Sequence, residues 1–415
     1  MPTEYAPLDR TMSARILIIT DGHLCRNPRS LKEADALGGA GYDVTVLAVR
    51  NQAAAEAHDR ILLQGAPFRR ETVDMIPGFQ TGSRTVFQRR LLLWAARHAG
   101  DHGLGTVYAL GPLGPLLRIA RRLPADLIIV HNEAPHWVGV QLMKHGRLVA
   151  ADIEDWHSED LLPEDRQRRP LSRIRAIERE LVTRAAYVTT TSHAMAGALQ
   201  ARFGGRCPDV ITNSFPLQPA PHRGAPGKPP AIFWFSQTLG AGRGLELFLS
   251  AWRQTRQPSR LALLGQPTPG FDHRLISRLP ADWRSRIGFL PLVPPAELPG
   301  VIAQHDIGLA TELRIPENKN YTISNKILQY LNAGIAVVAS DTAGQREVLA
   351  QQPEAGIIVE MHETTHLAEA LDRLLADGTA LARRQAAARR LAEDVYCWER
   401  EAPRLLALVG RALAP

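Results

Sequence analysis

Residues 15–49, RILIITDGHLCRNPRSLKEADALGGAGYDVTVLAV, decide the fold class. RILII (15–19) is apolar without alternation, the pattern of a strand covered on both faces. Asn27-Pro28 then opens an amphipathic stretch, with Asn27 suited to cap a helix, Pro28 to its first position and Gly41 to its end. YDVTVLAV (42–49) reads as a second strand. Strand, loop, helix, strand is the βαβ unit of a parallel sheet, so the chain is of the α/β class.

The same alternation continues outward. ADLIIV (125–130), RLVAADI (147–153) and AYVTTTS (186–192) are further strands with helical stretches between them. Residues 219–230, PAPHRGAPGKPP, hold five prolines and two glycines and read as a linker. Beyond it the pattern restarts with AIFWFS (231–236), RLALLG (260–265), RIGFLP (286–291), DIGLAT (306–311), IAVVAS (335–340) and GIIVE (356–360). This predicts an N-terminal extension over 1–14, a doubly wound domain over 15–218 and a second one over 231–395. A helix over 396–415 closes the chain, with a return to the first domain as one option. Two such domains leave a cleft at the carboxyl ends of their sheets, where open α/β sheets take ligands.

Bulk properties narrow the class. Among 415 residues, 45% are hydrophobic and 22% charged, as in ordinary globular domains. The net charge of +7 favours an anionic partner: phosphorylated substrate, acidic headgroup or nucleic acid. No basic motif with interleaved aromatics marks a nucleic-acid surface, so none is expected. Cys25, Cys207 and Cys397 lack CxxC spacing, which suits a reducing cytoplasm. The apolar runs are too short to span a bilayer.

Three stretches of the second half sit where strands end and helices begin. SQTLGAGRGLE (236–246) offers small residues, free amides and Arg243 at a helix start, a combination suited to phosphate. In the long loop before Gly334, Ser324 caps a helix whose first turn holds Asn325 and Lys326, with Gln329 one turn on. A Lys at the positive end of a helix makes sense beneath an anion. SDTAGQREV (340–348) could present amides or the Glu347 carboxylate.

TISNKILQYLNAGIAVVASDTAGQREV (322–348) resembles the family 4 retaining glycosyltransferases of the GT-B fold. NPRSLKEADALGGAGYDVTVL, ADLIIVHNEAPHWVGV, YVTTTSHAMAGAL with DVITNSFP, FSQTLGAGRGLE and CWEREAPRLLAL fall in the family's order, so the resemblance covers nearly the whole chain. It implies two facing Rossmann-like domains, no metal or other cofactor, and a nucleoside diphosphate sugar as co-substrate. Arg243 and Lys326 stand as the cations on the donor diphosphate. Gln237, Gly240, Gly242, Leu290, Tyr321, Ser324, Asn325 and Gln329 fall in its donor site. The family's glutamate pair, eight positions apart, falls on Tyr321 and Gln329. Both are departures, and Glu317 or Asn320 nearby are substitutes for the first.

On the acceptor side the resemblance points to Gly22, His23, Glu133 and Asp155, with His131 nearest the reacting centre and Glu154 in the place of a His. It implies transfer to a glycan or lipid-linked acceptor in bacterial surface polysaccharide synthesis. The alternatives are a sugar-nucleotide epimerase and a non-catalytic, nucleotide-binding partner subunit.

Between residues 84 and 122 lie seven arginines and one acid, Asp101. Phe87, Leu91 and Trp94 recur at helical spacing among them. Such a surface either rests on anionic lipid, placing the protein on the inner face of the membrane, or turns its apolar residues into the core.

Overall fold

The computed structural model describes residues 13–163, 165–219, 229–277 and 279–414. Residues 1–12 of the expected extension and 220–228 of the expected linker lie outside them.

The first half builds a seven-stranded sheet from β1 (Arg15–Ile19), β2 (Asp43–Arg50), β3 (Arg69–Asp74), β4 (Leu127–His131), β5 (Val149–Ile153), β6 (Val188–Thr190) and β7 (Asp209–Val210). Its order is β3-β2-β1-β4-β5-β6-β7 and every pairing is parallel. Ile18 lies beside Val46 on one side and Ile129 on the other. Ile16 to Ile19 are all buried, as the unbroken apolar run requires. The helix Pro28–Gly39 starts at the expected proline, and Gly41 follows its end at a φ of 94°. Asn27 does not cap it through its side chain. Its Nδ2 donates instead to the His23 carbonyl at 2.8 Å.

The second half builds a six-stranded sheet, again with parallel pairing. Its strands are β8 (Ala231–Leu239), β9 (Arg260–Pro267), β10 (Ile287–Leu290), β11 (Ile307–Ala310), β12 (Ala336–Ser340) and β13 (Gly356–Val359). The order is β10-β9-β8-β11-β12-β13. Alternate residues of β8 serve two cores. Ile232 and Trp234 join Phe248, Trp252 and Leu263, while Phe233 joins Ile327, Tyr330 and Val337 on the other face. Helices therefore cover both faces, as a doubly wound sheet demands. At Gly308 a Cβ would lie 2.3 Å from the Tyr330 ring, whose hydroxyl donates to the Leu309 carbonyl at 3.1 Å. Only glycine lets that ring lie against β11.

The chain divides into two compact units. One holds the residues up to Thr191, Met195–Ile211 and the chain from Ala402 onward. The other holds Ser192–Ala194 and Thr212–Glu401. The tail is two helices, Gly378–Asp394 and Trp398–Leu413, the second lying within the 396–415 expected to be helical. Among the described residues no helix is long and apolar enough to cross a membrane.

Candidate functional site

In the second unit the strand order reverses between β8 and β11, and the residues leaving these two strands meet. Strand β8 runs three residues further than the sequence predicts, to Leu239, so Gln237 is an exposed strand residue rather than part of the turn. Gly240 to Gly244 then turn the chain into the helix Leu245–Trp252, with Gly242 and Gly244 at φ of 73° and 76°. After β11 comes Thr311, whose Oγ1 donates to the Arg243 carbonyl at 2.9 Å. A Cβ on Gly244 would lie 2.4 Å from the Thr311 carbonyl oxygen, so the two loops touch backbone to backbone.

Glu312 follows Thr311 and receives Lys326 Nζ at 2.5 Å. Burial pushes the Glu312 carboxyl up, but Lys326, Lys319 and Arg243 outweigh it and hold the group below the usual carboxylate range. Lys326 also lies 5.4 Å from the centre of the Trp234 ring. Its helix, Asn325–Asn332, is capped as expected: Ser324 accepts from the Lys326 N–H. Asn325 accepts from Asn213 Nδ2 at 3.2 Å. Lys326 thus bonds one carboxylate at a sheet switch point while Lys319 and Arg243 act on it through space, a setting for an anion with more than one charge. The sequence reading missed Glu312 and Lys319. The one available signal was an acid immediately after the strand DIGLAT.

The glutamate-pair positions separate. Gln329 Oε1 is inaccessible and has no hydrogen-bond partner among the described residues. The Tyr321 hydroxyl donates to Glu317 at 3.4 Å, and its carbonyl accepts from Ser192 Oγ. Asn320 accepts from the Ala343 N–H, so it holds the start of the helix Ala343–Gln351. Glu347, expected to be free for a ligand, accepts from the His193 and Ala194 N–H groups at 2.9 Å each. Leu290 ends the edge strand β10.

In the first unit the strand order reverses between β1 and β4. Asp21 follows β1, and burial raises its carboxyl to about 6, with His157 opposing and Glu133 adding. Glu154, after β5, is pushed up to about 7 by burial, Arg29 opposing and Asp155 and Asp152 adding. Glu133 pairs with Arg169. Asn132, at a φ of 68°, is the non-glycine residue in the left-handed region among those described.

His131 takes a different place from the one expected. It is buried, its Nδ1 donates to Asp152 at 3.1 Å and its Nε2 to Glu33 at 2.5 Å. Burial opposes its charge, but Glu33 and Asp152 raise it to about 10, so it is a fixed cation. Arg29 clasps the same Asp152 with two bonds of 2.6 Å. With both nitrogens engaged, the ring has none left for a substrate proton. His23 is likewise spoken for: Nδ1 meets Asp59 at 2.9 Å, and Nε2 accepts from the Asn51 and Gln52 N–H groups at 3.1 Å.

His23, Glu56 and Asp59 offer ligand atoms within 4.8 Å of one another. They do not fit a metal centre, because Arg50 and Arg70 already pair with these carboxylates and His23 has no free nitrogen. Beside this cluster opens a cavity of about 580 Å³ in the first unit, lined by Asp21, Gly22 and His23. Opposite them stands the helix Ser83–Asp101. Its Phe87, Leu91 and Trp94 are 65%, 49% and 62% exposed, so they do not face a core.

Two family models match the chain. One described as Glycosyltransferase Family 4 covers residues 31–218, and one described as Glycosyl transferases group 1 covers 229–377. Sucrose-phosphate synthase of Thermosynechococcus elongatus superposes with a TM-score of 0.69 at 16% identity, over 96% of this chain and 98% of that one. HepE of Anabaena, solved with UDP and glucose, gives 0.67 at 17%, over 96% and 100%. S. aureus TarM, solved with UDP, α-GlcNAc-glycerol and fondaparinux, gives 0.68 at 8%, over 97% and 100%. No curated protein matches in sequence. At these identities the superpositions speak for a common fold, GT-B.

Proposed function

This chain belongs to glycosyltransferase family 4, and we propose that it moves a sugar from a uridine diphosphate sugar to a glycan or lipid-linked acceptor. The sugar keeps its anomeric configuration and no metal ion takes part. The observation that carries this reading is the Lys326–Glu312 pair beyond β11, with Arg243 and Lys319 acting on the same carboxylate through space. As the bond from sugar to diphosphate breaks, negative charge builds on the leaving group. Preorganised cations in a partly dry site stabilise that charge, the largest contribution expected in such chemistry. They do the work a divalent cation does elsewhere. Uridine is chosen because HepE and TarM were both solved with UDP.

The setting we propose is assembly of bacterial surface polysaccharide at the inner face of the membrane. The helix Ser83–Asp101 supports the membrane part: Phe87, Leu91, Leu92 and Trp94 are exposed beside exposed Arg84, Arg90 and Arg97. Flotation with vesicles containing anionic lipid is expected to carry the protein at low salt and release it at high salt. Failure to float at low salt removes the membrane from the proposal.

The transferase reading is tested by thermal shift with UDP, GDP, ADP and their sugars, without added metal. A ligand that binds the folded state raises the melting temperature by mass action. UDP and one UDP-sugar are expected to stabilise, and that sugar to be transferred with retention. If no nucleotide stabilises the chain, the donor site is wrongly placed.

A further inference from the structure

We propose that the cavity of the first unit binds the diphosphate head of an amphipathic acceptor, whose apolar chain leaves along the Trp94 face of the helix Ser83–Asp101. This rests on the transferase reading and deepens it, by choosing a phosphate-bearing lipid carrier over a neutral glycan.

The cavity has the volume of a small-molecule site. Arg90, Leu93, Trp94 and Arg97 line it together. They stand at i, i+3, i+4 and i+7, one face of the helix. Arg26 faces them from the turn after β1, and Asp21 is the one acid among the described lining residues. Among the described residues none of the three arginines is in an ion pair. Arg97 donates only to the Ala109 carbonyl, at 3.3 Å. Elsewhere in this unit arginines are consumed by carboxylates, as Arg29, Arg50 and Arg70 are. Three unpaired guanidinium groups around one concavity are an arrangement for phosphate oxygens.

The walls carry the second half of the argument. Val49, Met75, Ile76 and Leu110 make part of the cavity apolar. Trp94, 62% exposed and stacked on His98 at 5.3 Å, sits at its rim. Phe87 and Leu91 continue the same side of the helix outward, both exposed. A head group with two or more charges and a hydrocarbon tail matches both parts. A neutral oligosaccharide would leave the arginines without counterions.

The test uses the full chain, saturated with UDP, and calorimetric titration with farnesyl diphosphate, inorganic pyrophosphate and farnesol. Farnesyl diphosphate is expected to bind at least tenfold more tightly than either fragment. It is also expected to quench Trp94 fluorescence, a signal lost in Trp94→Phe. The double variant Arg90→Gln/Arg97→Gln is expected to weaken farnesyl diphosphate at least tenfold, while Arg373→Gln, exposed in the second unit, does not. Equal affinity for pyrophosphate and farnesyl diphosphate, or an unaffected double variant, overturns the assignment. Hydrolysis of the UDP-sugar by the unmodified chain is measured separately. Hydrolysis without any binding of farnesyl diphosphate sinks the cavity assignment alone. Binding of farnesyl diphosphate without donor binding or hydrolysis sinks the transferase reading alone.

Discussion

The Lys326 ammonium lies 2.5 Å from Oε1 of Glu312, and both side chains are largely withdrawn from solvent. Each is therefore the other's condition for being there. Removing one member of a buried pair leaves an uncompensated charge, at a cost of about 3–5 kcal/mol, while replacing both by apolar groups costs far less. Lys326→Met and Glu312→Leu are each expected to lower stability strongly, and the double variant to recover part of the loss. Denaturant melts of the four proteins in a double-mutant cycle check this. Additive losses would show that the pair does not couple.

Arg243 has a different status. Among the described residues its side chain makes no ion pair, and its loop is held through its carbonyl by Thr311. Arg243→Ala is expected to leave the melting temperature within a degree or two and to lower turnover by about a hundredfold or more, the usual effect of losing one preorganised charge. Initial rates of donor turnover beside a thermal melt decide the matter. Wild-type turnover removes Arg243 from the diphosphate.

Gly244 places that loop. Its φ of 76° and the Thr311 oxygen 2.4 Å from any added Cβ both exclude a side chain. Gly244→Ala is expected to cost about 2 kcal/mol or more and to weaken UDP binding in the same variant. Titration calorimetry with UDP reads the second effect. Unchanged UDP affinity would mean that the loop backbone does not touch the donor.

The buried network around His131 sets an alkaline limit. Its folded value is raised from 6.5 to about 10, so the folded state holds a proton that the unfolded chain releases above 6.5. The stabilisation is fully present below pH 6.5 and is lost as pH rises through about 10. Melts between pH 6 and 10 are expected to show stability falling across that window, and His131→Gln to flatten the slope while lowering stability overall. A wild-type curve that is level across the window contradicts the buried cation.

Burial on both faces explains what could be read from the sequence. Strands β1, β4, β11 and β12 are central or near-central, so their side chains are apolar but for Arg15, His131 and Ser340 at their ends, and their runs stand out. Strand β3, RRETVD, went unread because it is an edge strand, and its first four residues are exposed or half-buried. Asp209–Val210, two residues long, has too few positions for a pattern.

Two of the donor-side cations, Arg243 and Lys326, were legible because each lies where a helix begins in its own segment. Their carboxylate partner was not, since Glu312 meets Lys326 across fourteen residues. His131 misled for the same reason. A histidine at a strand end looks available, and only folding brings Glu33 and Asp152 from distant segments to both of its nitrogens. The cavity beside Trp94 gave only a hint, the run of arginines. Helical spacing locates a face without saying whether core or solvent meets it.

The helix Trp398–Leu413 begins in one unit and ends in the other. Leu405, Leu408 and Val409 are buried, and Arg411 reaches Asp209 at 3.8 Å, so the last turns belong to the first unit. The gene order therefore misstates where the molecule can be cut. A ribosome that has finished the first 218 residues has not yet made everything the first unit needs, and that unit must wait for the residues from Ala402 onward. A fragment ending at 218 is an unfinished object, whereas a fusion appending residues 402–415 to it restores the missing wall. Swapping amino-terminal halves between such proteins calls for swapping the tail with them.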